Sequence, residues 1–189
     1  MKPYPIIFSL ALSLLCLPAS WATSMLPISL EQLSTRASLI FFGKVINNEV
    51  RKDEQSGRIA TFTEFEVIDL IKGKTGTRHT IKQIGGHLKE TGTIVRIQGV
   101  PEYVVGNSYV VFLPEKSKSG FSSPLGLHQG SFDVATVNGE QIVSNGRGLA
   151  AQPERTRTSV AIPLAVSASN PSQSLLSDFI NSVRAYNTP

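Results

Sequence analysis

Cysteine is nearly absent from this chain of 189 residues: the single thiol, Cys16, lies in an N-terminal apolar stretch. The rest of the chain therefore has no disulfide framework and no thiolate metal site, and its stability has to come from a hydrophobic core of ordinary size. Charge of one sign is scarce as well. Eighteen Lys and Arg stand against 14 Asp and Glu, a formal net charge of +4, too dilute by itself to indicate nucleic acid. The longest apolar run, 6–17, is well short of the ~20 residues that span a bilayer, so no transmembrane helix is expected. Histidine is limited to His79, His87 and His128. No two of them have the close helical spacing that holds zinc, and neither His-Glu-x-x-His nor Gly-x-Ser-x-Gly occurs. No metal, no cofactor and no catalytic constellation is expected from these motifs.

What is present begins with a leader. Lys2 gives a positive start, 6–17 is apolar, and Pro18-Ala19-Ser20-Trp21-Ala22 ends in small residues at its last and third-last positions. This predicts a secretory signal peptide over 1–22, cleaved near Ala22, and a periplasmic or secreted protein. Leu15, ahead of Cys16, is not the small residue that a lipoprotein signal uses.

The remaining chain reads as one domain over 23–143, a surface linker over 144–171 rich in Ser, Ala, Pro and Arg, and a C-terminal amphipathic helix over 172–189. Ser29 and Gln32 form a capping box for a short helix, with Ile28 and Leu33 as its hydrophobic staple. LIFFGKVI at 39–46 is a central strand, and RKDEQSGR at 51–58 is a charged hairpin loop. IATFTEFEVIDLI at 59–71 is a long strand, amphipathic until Ile68 and Leu70 make both faces apolar. Further strands follow at 78–84, 93–98, 109–113, 131–137 and 141–143, the last two flanking the turn signal Asn138-Gly139. Six to eight strands without an intervening helix pattern predict a small antiparallel barrel or sandwich. In the final helix, Leu175, Leu176, Phe179, Ile180 and Val183 share a face, which is expected to pack back on the sheet.

Several patterns only look like chemistry. Gly73-Lys74-Thr75 resembles the end of a phosphate-binding loop, but position 68 is Ile where that loop needs glycine, and a strand follows where a helix is required. Glu64 and Glu66 share a strand face, as a solvated face also would. The basic residues Arg51, Lys52, Lys72, Lys74, Arg78, Lys116, Lys118, Arg155 and Arg157 are dispersed, so a polyanion or glycan site would need the fold to gather them. His87 is the most informative position. It follows Gly85-Gly86, which lets backbone approach a partner, and Lys89 and Arg96 are close in sequence. Tyr103 and His128 are weaker binding candidates.

The ordered series Leu70-Ile71-Lys72-Gly73, Ile84-Gly85-Gly86, Gly99-Val100-Pro101 with Gly106 and YVVFL at 109–113, then Gly126 with Gln129-Gly130, resembles a family of uncharacterised bacterial secreted proteins. The similarity runs over about 28–137. More remotely, the same order is similar to netrin-like and tissue-metalloproteinase-inhibitor N-terminal domains, which implies an OB-like β-barrel. Members of the bacterial family are sometimes encoded near secreted metallopeptidases, which implies a secreted protein or peptidase as partner. The animal inhibitors chelate the protease zinc through a disulfide-bonded N-terminal cysteine. This chain has none after its leader, so that mechanism does not carry over.

The sequence thus predicts a mainly β protein: a small OB-like antiparallel barrel with a short N-terminal helix and a C-terminal amphipathic helix. Its expected work is non-enzymatic recognition of a protein or peptide through barrel loops, with Gly85, Gly86, His87, Lys89, Arg96, Tyr103 and His128 as the contact residues. Two other classes stay open. One is an enzyme assembled from distant residues around His87 and His128, and the other is a polyanion or glycan binder.

Overall fold

The computed structural model describes residues 26–145 and 173–188. The expected leader at 1–22 and most of the expected linker at 144–171 lie outside the described residues.

The first described element is α1 (Leu30–Arg36). Ser29 Oγ accepts from the Gln32 amide, and Gln32 Oε1 accepts from the Ser29 amide, so the reciprocal cap satisfies two otherwise orphaned donors. The chain then enters β1 (Leu39–Lys52), β2 (Ile59–Lys72) and β3 (Arg78–Ile84). A short hairpin of β4 (Gly86–Leu88) and β5 (Thr93–Val95) follows, then β6 (Ser108–Leu113), a 3-10 turn (Leu127–Gly130), β7 (Ser131–Val137) and β8 (Glu140–Ser144). The last elements are β9 (Gln173–Leu175) and α2 (Leu176–Ala185).

Seven of these strands form one antiparallel sheet in the order β3-β2-β1-β6-β7-β8-β9, and β4 and β5 pair separately. Among the described residues no strand pairing closes this sheet, so the expected barrel is met only as far as a seven-stranded antiparallel sheet. The free edge of β3 is occupied by a loop instead. The Lys82 carbonyl accepts from the Ser122 amide, and Lys82 Nζ lies 4.5 Å from the centre of the Phe121 ring. Asp53, at the end of β1, pairs with Lys82 at 2.6 Å and fastens the hairpin tip to the same edge. Hydrogen bonds from Lys82 and Ser56 hold the Asp53 carboxyl at about 2, well below the usual range; it is covered by these neighbours yet lies near the surface.

Strand alternation sorts the core into two layers. Ile40 and Phe42 of β1, Val110 and Phe112 of β6, Phe132 of β7 and Val143 of β8 meet Leu33 of α1 and Leu176, Phe179, Ile180 and Val183 of α2. On the opposite, helix-free face lie Leu39, Phe41 and Val45 of β1, Phe65 of β2, Ile81 of β3 and Tyr109, Val111 and Leu113 of β6, joined by Tyr103. The short apolar runs LIFF and YVVFL are thus buried on both faces, which accounts for their lack of a polar parity. Three register shifts between β1 and β2 mark bulges that bend the pair.

Boundaries differ from the sequence reading in several places, and the strand expected over 93–98 stops at Val95. β1 continues through the polar 47–52, because β2 supplies a full partner that far and propensity yields to pairing. The C-terminal helix begins at Leu176, not at 172, and ends at Ala185. Gln173–Leu175 is extended and pairs with β8, with Leu175↔Ile142 and Ser174↔Val143 in register. Open backbone groups on the β8 edge are satisfied first, and only then does the chain turn into its helix. α2 itself docks as expected: Phe179 is fully buried, its ring 4.8 Å from Phe132 and 6.3 Å from Phe112. No helix among the described residues is long and apolar enough to cross a membrane.

Candidate functional site

The chain leaves β3 through Gly85 and Gly86, at φ of 102° and 130°, where L side chains are strained. A Cβ on Gly85 would stand 2.6 Å from the Val95 carbonyl oxygen, and one on Gly86 would stand 2.6 Å from Thr61 Oγ1 and 2.7 Å from Val50. The sequence reading had this Gly-Gly pair let backbone approach a partner; what approaches it is the chain's own β5 and the far end of β1 and β2. Gly85 also donates its amide to the Ile59 carbonyl and accepts from the Thr61 hydroxyl at 2.7 Å. The corner is bolted to β2, so the hairpin beyond it stands on a rigid base.

That hairpin carries the charged candidates outward. His87, Lys89 and Arg96 are exposed, whereas Leu88 is tucked beneath at 8% exposure. Period-2 alternation explains the split, and His87 faces Ile94 across the ladder. Ile94 and Ile97 remain 55% and 46% exposed, and Val104 and Val105 on the later turn are 56% and 54% exposed. These four apolar side chains were missed in the sequence. The signal was available for two of them: TIVRIQ has apolar residues on both parities, and a strand of only three residues cannot bury both.

His128 lies half-buried on the 3-10 turn. Its amide donates to the Gly99 carbonyl at 3.1 Å, and Leu127, itself at φ 58°, lays its side chain against Gly99. The segment leaving β5 is thereby tied to the start of β7. Partial burial pushes the Asp133 carboxyl up, more than a backbone hydrogen bond and the neighbouring His128 lower it. Among the described residues no ion pair involves His87 or His128. No group of three or more His, Cys, Asp or Glu among them is placed to hold a metal ion.

Tyr103 belongs elsewhere. It is 6% exposed, its ring edge-on to Phe65 at 5.0 Å and Tyr109 at 4.9 Å. Its carbonyl accepts from the Asn48 side chain, and burial pushes its phenol upward. Tyr103 is a core residue that anchors the turn bearing Val104 and Val105, so it is not a surface contact. Its flanking Pro101 and Gly106 gave the look of a loop, and the turn folds back over the helix-free face.

His79 sits on that same face, beside Phe41. Its Nδ1 lies 2.9 Å from the Thr75 hydroxyl and its ring 5.4 Å from Phe41. Desolvation, helped by the charge of Lys116, lowers it to about 4.

The chain matches no protein-family model and no curated protein. What its site does must therefore be argued from the hairpin and its neighbours.

Proposed function

We propose that this protein is a periplasmic or secreted recognition module, non-enzymatic, built on an OB-like barrel and remotely related to netrin-like domains. Its ligand is a protein or peptide, gripped by the β4–β5 hairpin. One observation carries the reading: Ile94 and Ile97, each about half exposed, flank the exposed Arg96 on a hairpin whose glycine corner is fixed to the sheet. Exposed apolar side chains cost solubility unless a partner covers them, and an apolar pair beside a cation is typical of a contact surface. Loops held on a rigid sheet are where binding residues concentrate. His87 and Lys89 extend the same surface with polar contacts, and a secreted peptidase is the partner class that the sequence resemblance implies.

The test is a capture experiment with residues 23–189 as bait, run in parallel with an Ile94→Glu/Ile97→Glu variant. A stoichiometric protein held by the native surface and weakened at least about tenfold, or ~1.4 kcal/mol, by the variant is the expected result. The two baits should melt at the same temperature. Equal capture by both would remove the hairpin from the interface.

A further inference from the structure

The helix-free face is not uniformly apolar. Strand register places its inward residues of β1, β2 and β3 in rows: Val45, Phe65 and His79; then Asn48, Thr63 and Ile81; then Val50, Thr61 and Gln83. Thr63 and Gln83 are 1% and 3% exposed. Four buried polar atoms associated with this face have no hydrogen-bond partner in the protein: Asn48 Oδ1, His79 Nε2, Gln83 Nε2 and the Tyr103 hydroxyl. Ser131 lies near enough to that hydroxyl to lower the phenol, against the larger upward push of burial. The Asn48 amide nitrogen is already committed to the Tyr103 carbonyl, so its oxygen is the free end.

Leaving four such atoms unpaired would consume a large part of a small domain's net stability, and buried polar groups in native proteins are almost always satisfied. The chemistry they ask for is specific. Asn48 Oδ1 needs a donor and Gln83 Nε2 needs an acceptor, whereas the phenol and a neutral imidazole accept either. None of the four is a charged group. The aromatic and aliphatic side chains around them, Phe65, Ile81 and Tyr109, are under 5% exposed, so these atoms are cut off from bulk solvent. We infer that the helix-free face of β1–β3 is a binding site for ordered internal water, held by Asn48, Gln83, His79 and Tyr103. Each water would make about three hydrogen bonds and convert the polar residues of this face from a defect into a connected network. The network would bind β3, at the edge of the sheet, to the turn that presents Val104 and Val105.

The inference is tested on the chain expressed with its own leader, by oxygen-17 relaxation dispersion to count long-lived internal waters and by a high-resolution crystal structure to locate them. Waters bonded to Gln83 and Tyr103 are expected. Gln83→Leu should remove at least one from the count. Tyr103→Phe, which keeps the ring contacts and so secures the test if the first variant fails to fold, should remove another. A native count of zero would overturn the inference, as would counts unchanged in a folded variant or density for a molecule other than water.

Discussion

The two faces of the sheet are built from the same strands and solve different problems. The helix-covered face is dry: Ile40, Phe42, Val110, Phe112, Phe132 and Val143 meet the apolar sides of α1 and α2. The helix-free face mixes Phe41, Phe65, Tyr103, Tyr109 and Ile81 with Thr63, Gln83, Asn48 and His79. A dry layer maximises stabilisation by burial, roughly 1.5–3 kcal/mol for each large side chain. A mixed layer gives up part of that gain for hydrogen-bonding groups that hold particular segments in particular places. The second layer is also the one from which the β4–β5 hairpin and the 103–107 turn depart. The helix-packed layer and the layer from which these two segments depart are thus on opposite faces, with β1 and β6 contributing to both.

The comparison breaks most visibly at Phe179. Its ring is fully buried between Phe132 and Phe112, so Phe179→Ala should cost ~3–5 kcal/mol. Chemical denaturation reads this directly. A loss under ~1 kcal/mol would mean that α2 contributes little to the helix-covered core, and the division between faces would fail.

The other face should be exposed by acid. His79 titrates near 4 when folded and near 6.5 when unfolded, chiefly through desolvation and secondarily through Lys116. The unfolded chain therefore binds this proton first as pH falls. Stability is complete above about pH 6.5, declines between 6.5 and 4, and levels off below that window. Because the ring is only partly shielded, the loss is discounted to ~1–2 kcal/mol. Melting temperature against pH, compared with His79→Phe, measures it. A variant with the same slope between pH 6.5 and 4 would assign the effect to another group. Asp53 contributes at lower pH: its pairing with Lys82 is present above about 3.8 and lost as pH falls toward 2.

What was legible in the sequence follows the same division. Local signals were sufficient for most of the helix-covered face: the Ser29 and Gln32 cap, the apolar helical face from Leu176 to Val183, and the strand character of LIFF and YVVFL all depend on short-range pattern, whereas Leu175, read into the helix, is in β9. Two of the motif pieces proved to be scaffold. Lys72 Nζ donates to the Ser34 and Thr35 carbonyls at 2.7 and 3.0 Å, capping the end of α1. A Cβ on Gly73 would stand 2.4 Å from the Ser38 carbonyl. Likewise, Gln129 accepts from the Ile28 amide and donates to the Leu26 carbonyl, pinning the N-terminal segment. The helix-free face was less legible, since its composition is set by register between distant strands. Nothing near Asn48 announces Thr63 and Ile81 as its neighbours, and nothing around Tyr103 distinguishes a binding loop from a turn folded over the core. The hairpin residues His87, Lys89 and Arg96 were singled out because Gly-Gly marks a corner, and they are exposed there, whereas Ile94 was absorbed into a strand longer than the one that forms.

The smallest expected effect tests whether polar contacts matter on the dry side too. Arg184, in the last turn of α2, reaches Asp69 of β2 at 2.6 Å, with side chains 47% and 32% exposed. Such a pair gains little because water screens it and two side chains are immobilised, so Arg184→Ala should cost ~0.2–1 kcal/mol, with part of that reflecting the favourable helix terminus. The difference should shrink further at high salt. If denaturation instead registered ~2 kcal/mol or more, insensitive to salt, the ion pair would be acting as a bolt between α2 and β2. Docking of the helix would then depend on electrostatics as well as on Phe179 and its neighbours, and the contrast between an apolar face and a polar one would have to be redrawn at the edge of β2.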